Sequence, residues 1–148
     1  MLSVFSDESF MQKAIQEAEI AAAEGEVPVG AVIVCNNAVI AKAHNQVEKL
    51  NDITAHAEIL AITAASNYLG SKTLEDCTLF VTLEPCTMCG GAIKWARLGR
   101  VVYGASDDKA GFMKHGKEFL HPSTRLEYGV CNDKCSALLK SFFKKLRI

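Results

Sequence analysis

Thr78-Leu79-Phe80-Val81-Thr82-Leu83-Glu84-Pro85-Cys86-Thr87-Met88-Cys89 is the stretch from which the rest of the chain can be read. Thr78 to Thr82 is a β-branched and aromatic run, which predicts a strand. Pro85 fits just ahead of a helix, where a missing N–H costs little, and residues 86–97 read as that helix. Two cysteines three apart in a first helical turn lie on one face. The positive end of the helix dipole favours anions there and lowers thiol pKa values, and thiolates are what zinc binds. Alone, a Cys-x-x-Cys is ambiguous between a metal site, a redox pair and two buried apolar residues. The other four cysteines make no second Cys-x-x-Cys, so a four-thiolate structural zinc site lacks ligands. Cys131 and Cys135, four apart, and Cys35 and Cys77, in strand contexts, read as ordinary buried or half-buried residues.

Upstream lies Thr54-Ala55-His56-Ala57-Glu58. His56 can supply a neutral nitrogen as a third ligand to Cys86 and Cys89. Three protein ligands leave the fourth tetrahedral position open, the arrangement of a catalytic rather than a structural zinc. Two thiolates neutralise the metal's formal charge, so a nearby carboxylate must help take the proton from water, and Glu58 is the candidate. Residues two apart on a regular helix point about 200° away from each other. His56 and Glu58 therefore share a site only where the helix is just beginning, for which Thr54 is the expected N-cap.

Residues 8–24 read as a helix with Phe10, Met11, Ala14, Ile15, Ala18, Ala21 and Ala22 on one stripe. Val29 to Val34 and Ala38 to Ala43 form a hairpin turning at Asn36-Asn37. A polar loop runs from His44 to Asp52, and residues 55–66 are helical. Arg100 to Gly104 is a strand, residues 105–124 are mostly loop, and Arg125 to Val130 is a short edge strand. The last helix starts near Asn132 or Asp133 and is expected to bury Leu138, Leu139, Phe142, Phe143 and Leu146. A helix between two strands suggests a parallel crossover, whereas the opening hairpin is antiparallel. The class is α/β, a mixed sheet covered by helices on both faces.

The 148 residues suit one domain, 1–148. A formal net charge of −1 argues against a general nucleic-acid coat protein. The longest apolar stretch, Val27 to Cys35, is about half of the ~18 residues a membrane span needs. Asp7 and Glu8 stand where a signal peptide would be basic and then apolar. A reducing, cytoplasmic setting follows as the expectation for the six cysteines.

The order His-x-Glu, then Pro-Cys-x-x-Cys with 26 residues between Glu58 and Pro85, is a signature of zinc nucleobase deaminases. With it the sequence resembles the cytidine deaminase-like superfamily, and within that the bacterial tRNA adenosine deaminases. The resemblance covers nearly the whole chain. It is carried by Glu26 to Val34, Thr54 to Ile59, Leu79 to Cys89, Arg100 to Ala105, and Asp107 with Lys109 and Gly111. It implies a three-layer helix–sheet–helix sandwich with a five-stranded mixed sheet, a homodimer, and one Zn²⁺ per subunit. It also implies adenosine-to-inosine editing at the wobble position of a tRNA anticodon. Asn45 would contact the flipped-out nucleoside and Asp107 the neighbouring sugar or backbone. The backbone near Ala57 and Glu84 to Cys86 would hold the base edge. Glu58 would take a proton from the attacking water and return protons to the ring nitrogen and the leaving amine.

The sequence departs from that pattern after Gly111. Relatives commonly carry a longer stretch with an Asn-His pair, where this chain has Phe112 to Thr124. This region is expected to line or overhang the substrate groove, with His115 and His121 as exposed loop histidines. Lys140, Lys144, Lys145 and Arg147, with Lys94, Arg97 and Arg100, are candidates for a phosphate-facing patch. Two other readings stay open: a free-base or nucleoside deaminase for guanine, cytosine or cytidine, which shares the metal motif, and a non-catalytic zinc module that binds RNA.

Overall fold

The computed structural model describes residues 3–146. Helix α1 (Asp7–Ala23) opens at Ser6, whose hydroxyl accepts the Ser9 N–H at 3.1 Å. It buries Phe10, Met11, Ala14, Ile15, Ala18 and Ala21, most of the expected stripe. β1 (Gly30–Cys35) and β2 (Ala38–His44) follow as an antiparallel hairpin. Its turn residues Asn36 and Asn37 have φ of 51° and 62°, the left-handed conformation that a two-residue hairpin turn requires.

The segment after β2, expected as loop, contains a one-turn helix, α2 (Val47–Leu50). The next helix, α3 (Ala57–Leu69), starts later and runs further than the expected 55–66. Its N-cap is His56, not Thr54, because Thr54 is held in a local turn: its N–H and hydroxyl both donate to Asp52 Oδ1. Then come β3 (Cys77–Leu83), α4 (Thr87–Ala96), β4 (Arg100–Ala105), β5 (Arg125–Tyr128) and α5 (Asn132–Leu146).

The sheet order is β2-β1-β3-β4-β5. β1 is antiparallel to both neighbours, and β3, β4 and β5 are parallel. Four strands therefore run one way, and the carboxyl ends of β2, β3 and β4 meet at one end of the sheet with the start of β1. That is the end where open α/β sheets place ligands. Side chains alternate across the strands into two cores. Ala31, Ile33, Leu79, Val81, Val101 and Tyr103 face α3 and α4, whereas Val32, Val34, Phe80 and Val102 face α1 and α5. A Cβ on Gly30 would overlap the α1 backbone at Ala14 and Ala18, and one on Gly104 would meet Cys135 Sγ of α5. Both glycines let a helix sit against its strand.

Two expectations are corrected. Helix α5 buries only Cys135; Leu138, Leu139 and Phe142 are half-buried, and Phe143 and Leu146 are 41% and 66% exposed. Leu138 and Leu139 pack against the α1-side core, and Phe142, Phe143 and Leu146 line a cleft instead of entering it. Beyond Met113, which is held at the cleft wall by Glu84, the 112–124 stretch turns into the fold rather than over a groove: Phe112 and Leu120 are buried in the core on the α3–α4 side, and Phe119 packs on Gly90 of α4. His115 is exposed and stacks on Phe119, while His121 is half-buried beside Ser123. No helix among the described residues is long and apolar enough to cross a membrane.

Candidate metal centre and its cleft

Two helices begin at the same point, and each gives its N-cap residue to the site. His56 caps α3 with extended backbone (φ −77°, ψ 152°), and Cys86 caps α4 likewise (φ −71°, ψ 175°). Neither side chain makes a capping hydrogen bond, so both are free to point at one another. His56 Nδ1 lies 3.7 Å from Cys86 Sγ and 3.5 Å from Cys89 Sγ. Donor atoms of all three residues fall within 4.8 Å of one another. A tetrahedral ion at ordinary Zn–S and Zn–N lengths holds sulfur and nitrogen about 3.6 Å apart, so the observed spacing fits zinc.

At the start of α3, His56 and Glu58 both face the cleft. His56 lies ahead of the helix on extended backbone, and Glu58 is its second residue, so the 100° step between helical neighbours does not separate them. Glu58 is 3% exposed, and burial pushes its carboxyl up to about 7. Of the thiols, Cys86 is the more acidic. The Cys89 thiol donates to it, His56 stands beside it, and it is held down at about 4. Cys89, the deeper of the two, is pushed up by the same partnership. His56 is raised chiefly by its hydrogen bond with Cys86. Two helix N-termini aim their dipoles at the sulfurs, which favours thiolate.

His56, Glu58 and Cys86 border a cleft of about 510 Å³. Asn45, Glu84 and Asp107 line it as well. The buried Asn45 accepts the Ala57 N–H at 2.8 Å through Oδ1 and so caps α3 in place of His56. Ala57 is wholly buried, with its N–H committed to that bond. Glu84 accepts the N–H groups of Asp107 and Met113 through its two carboxylate oxygens. Asp107 Oδ1 accepts the Lys109 and Ala110 N–H groups at 3.1 Å, which shapes its own loop.

Some lining residues carry no sequence signal for a site. Phe142, Phe143 and Leu146 wall the cleft, although helical spacing alone makes them look like core. Glu26 also reaches the cleft although it is 2% exposed. The proposed basic patch does not gather. Arg100 lies at the start of β4, the far end of the sheet, bidentate to Asp7 at 2.9 and 2.6 Å and bonded to Glu127 at 2.8 Å. Lys94 and Arg97 stand at the end of α4 remote from Cys86. Lys140, Lys144 and Lys145 are exposed on α5, and Arg147 lies outside the described residues.

An α/β/α sandwich with a His-Cys-Cys group and a buried glutamate at the carboxyl ends of its strands is the frame of a nucleobase deaminase, and residues 5–147 match the family model of the MafB19-like deaminases. A tRNA-specific adenosine deaminase of Aquifex aeolicus is 46% identical over 145 residues, covering 95% of each chain. The chain therefore belongs to the tRNA-specific adenosine deaminase family. A structure from a study of A-to-I editing by tRNA:A34 deaminases at the wobble position superposes with a TM-score of 0.82 at 40% identity, over 88% of this chain and 98% of that one. The guanine deaminase of Bacillus subtilis is similar over less: 45% identity and a TM-score of 0.66, over 68% of this chain and 65% of that one.

Proposed function

We propose that this chain deaminates adenosine to inosine at the wobble position of a tRNA anticodon, using one zinc ion held by His56, Cys86 and Cys89. The observation that carries the reading is the juxtaposition of the buried Glu58 with a three-donor group that opens on a cleft. A purely structural zinc site has four protein ligands and needs no such acid. Zinc held by these three residues would supply Lewis acidity to the hydrolytic water. Glu58 would take a proton from the attacking water and return protons to the ring nitrogen and to the leaving amino group. Asn45 meets the nucleoside through its amide, Ala57 keeping the carbonyl end of that side chain fixed. Asp107 meets the neighbouring sugar or backbone. The backbone from Glu84 to Cys86 lines the base edge.

The editing substrate is favoured over a free base by identity sustained over the whole length. Likeness to a tRNA enzyme holds at 46% identity over 95% of the chain, whereas guanine deaminases either match at 45% over 68% or cover 93% of it at 24%. An unpaired anticodon base is also the least costly kind to splay into a pocket. The chain acts as one deaminase domain, residues 1–148, in a homodimer, in the cytoplasm where its tRNA is found. Incubation with an anticodon stem-loop and, separately, with free guanine, cytosine and cytidine tests the reading by sequencing and ammonia release. Inosine at the wobble position is the expected result. Ammonia from free base alone establishes the guanine-type reading instead.

A further inference from the structure

Glu26 and Glu84 both line the cleft, both are buried, and neither has a part in the proton transfers. Each commits both carboxylate oxygens to backbone N–H groups. Glu26 precedes β1; its Oε1 accepts the Glu48 N–H at 3.1 Å and its Oε2 the Lys49 N–H at 2.9 Å. Those are first-turn donors of α2, whose own N-cap residue, Gln46, makes no side-chain capping bond. Glu84 follows β3; its Oε1 accepts the Asp107 N–H and its Oε2 the Met113 N–H, both at 3.0 Å. Gly111 approaches so closely that a Cβ there would overlap the Glu84 carboxylate. Among the described residues, neither glutamate makes a salt bridge.

The topology gives these contacts a direction. β1 and β3 are neighbours in the middle of the sheet, with β2 on one side and β4 on the other. α2 follows β2, and the Asp107–Met113 loop follows β4. From the centre of the cleft floor, one carboxylate therefore reaches the wall on each side. The walls hold the two residues assigned to the nucleotide: Asn45 sits just ahead of α2, and Asp107 is itself gripped. Other bonds shape each segment locally, such as the Phe112 N–H onto the Pro85 carbonyl and the Gln46 N–H onto the Ala55 carbonyl, and a carboxylate, an acceptor at both oxygens, is the side chain that matches two further amide donors.

We propose that Glu26 and Glu84 are positioning residues that hold the two walls of the cleft at the separation the RNA loop requires. The proposal rests on the RNA-editing reading above. Each wall touches the substrate away from the reacting carbon, so loosening it weakens binding of the ground and transition states alike. Glu26→Gln and Glu84→Gln each turn one acceptor into a donor that faces an N–H. Each is expected to raise KM for an anticodon stem-loop about tenfold, with kcat within about twofold and zinc content unchanged. An unchanged KM, a fall in kcat at constant KM, or loss of zinc would overturn the proposal.

Amide hydrogen exchange on the wild-type protein tests the clamps without a variant or a substrate. The Glu48, Lys49, Asp107 and Met113 amides are expected to exchange at least tenfold more slowly than in free peptides; exchange at free-peptide rates overturns the clamps. If the wild-type enzyme leaves the stem-loop unedited, the functional reading fails, and the exchange result still decides whether the carboxylates hold the walls.

Discussion

Helix α1 and the pair α3–α4 begin in opposite ways. α1 has a conventional cap: Ser6 turns its hydroxyl back onto the Ser9 N–H. α3 and α4 put His56 and Cys86 in the same seat, and neither side chain serves its own helix. A good cap stabilises a helix by about 1 kcal/mol, so two helices forgo that and turn their capping side chains to the candidate metal site. At α3 the loss is repaired from outside, because Asn45 takes the Ala57 N–H. The backbone groups left at these helix starts keep their positive potential where two sulfurs need it. Helix ends in one molecule thus serve either stability or chemistry, and the capping side chain shows which.

Substitutions at these helix starts sharpen the contrast, and the effects should fall off in order. Cys86→Ser should reduce zinc, read by atomic absorption, from about one per chain to near zero, with deamination lost. Zinc retained at wild-type level would remove Cys86 from the ligand set. Glu58→Ala should keep its zinc while kcat drops by about 10²–10⁴; near-wild-type turnover would end its role as proton carrier. Asn45→Ala should act on both sides of the comparison. It leaves the Ala57 N–H unpaired, costing about 1–2 kcal/mol in denaturant unfolding, and it lowers kcat/KM at least tenfold. A loss of stability with activity intact would make Asn45 a cap only. Ser6→Ala should be the mildest: about 1 kcal/mol, a melting temperature lower by about 2–4 °C, and unchanged kcat/KM. A change in kcat/KM there would mean that the cap of α1 is not purely structural.

The chemistry-bearing end of the chain was legible because its residues are unusual in kind and spacing. A Pro-Cys-x-x-Cys after a β-branched run has few folds to belong to, and the hairpin announces itself with two asparagines. What could not be read depends on where chain segments go in space. Phe142, Phe143 and Leu146 share core periodicity with Leu138, and nothing local says that the last turns of the helix face a cleft rather than the core. Thr54 is a good N-cap by residue type, but Asp52 two positions earlier captures its N–H and hydroxyl. Glu26 and Glu84 look like ordinary acidic residues; only the fold reveals that they are buried against amides. Arg100 counts as a surface cation by composition, and its partners Asp7 and Glu127 are distant in sequence.

The common direction of four strands has a practical consequence for attaching anything to this enzyme. Asp7, at the start of α1, is paired with Arg100 at the beginning of β4, so the front of the chain lies at the end of the sheet opposite the cleft. Leu146, at the close of α5, is part of the cleft wall. A tether, dye or fusion partner joined ahead of α1 leaves the RNA entrance clear. The same cargo joined beyond α5 emerges beside Phe143, where it competes with the incoming loop for space.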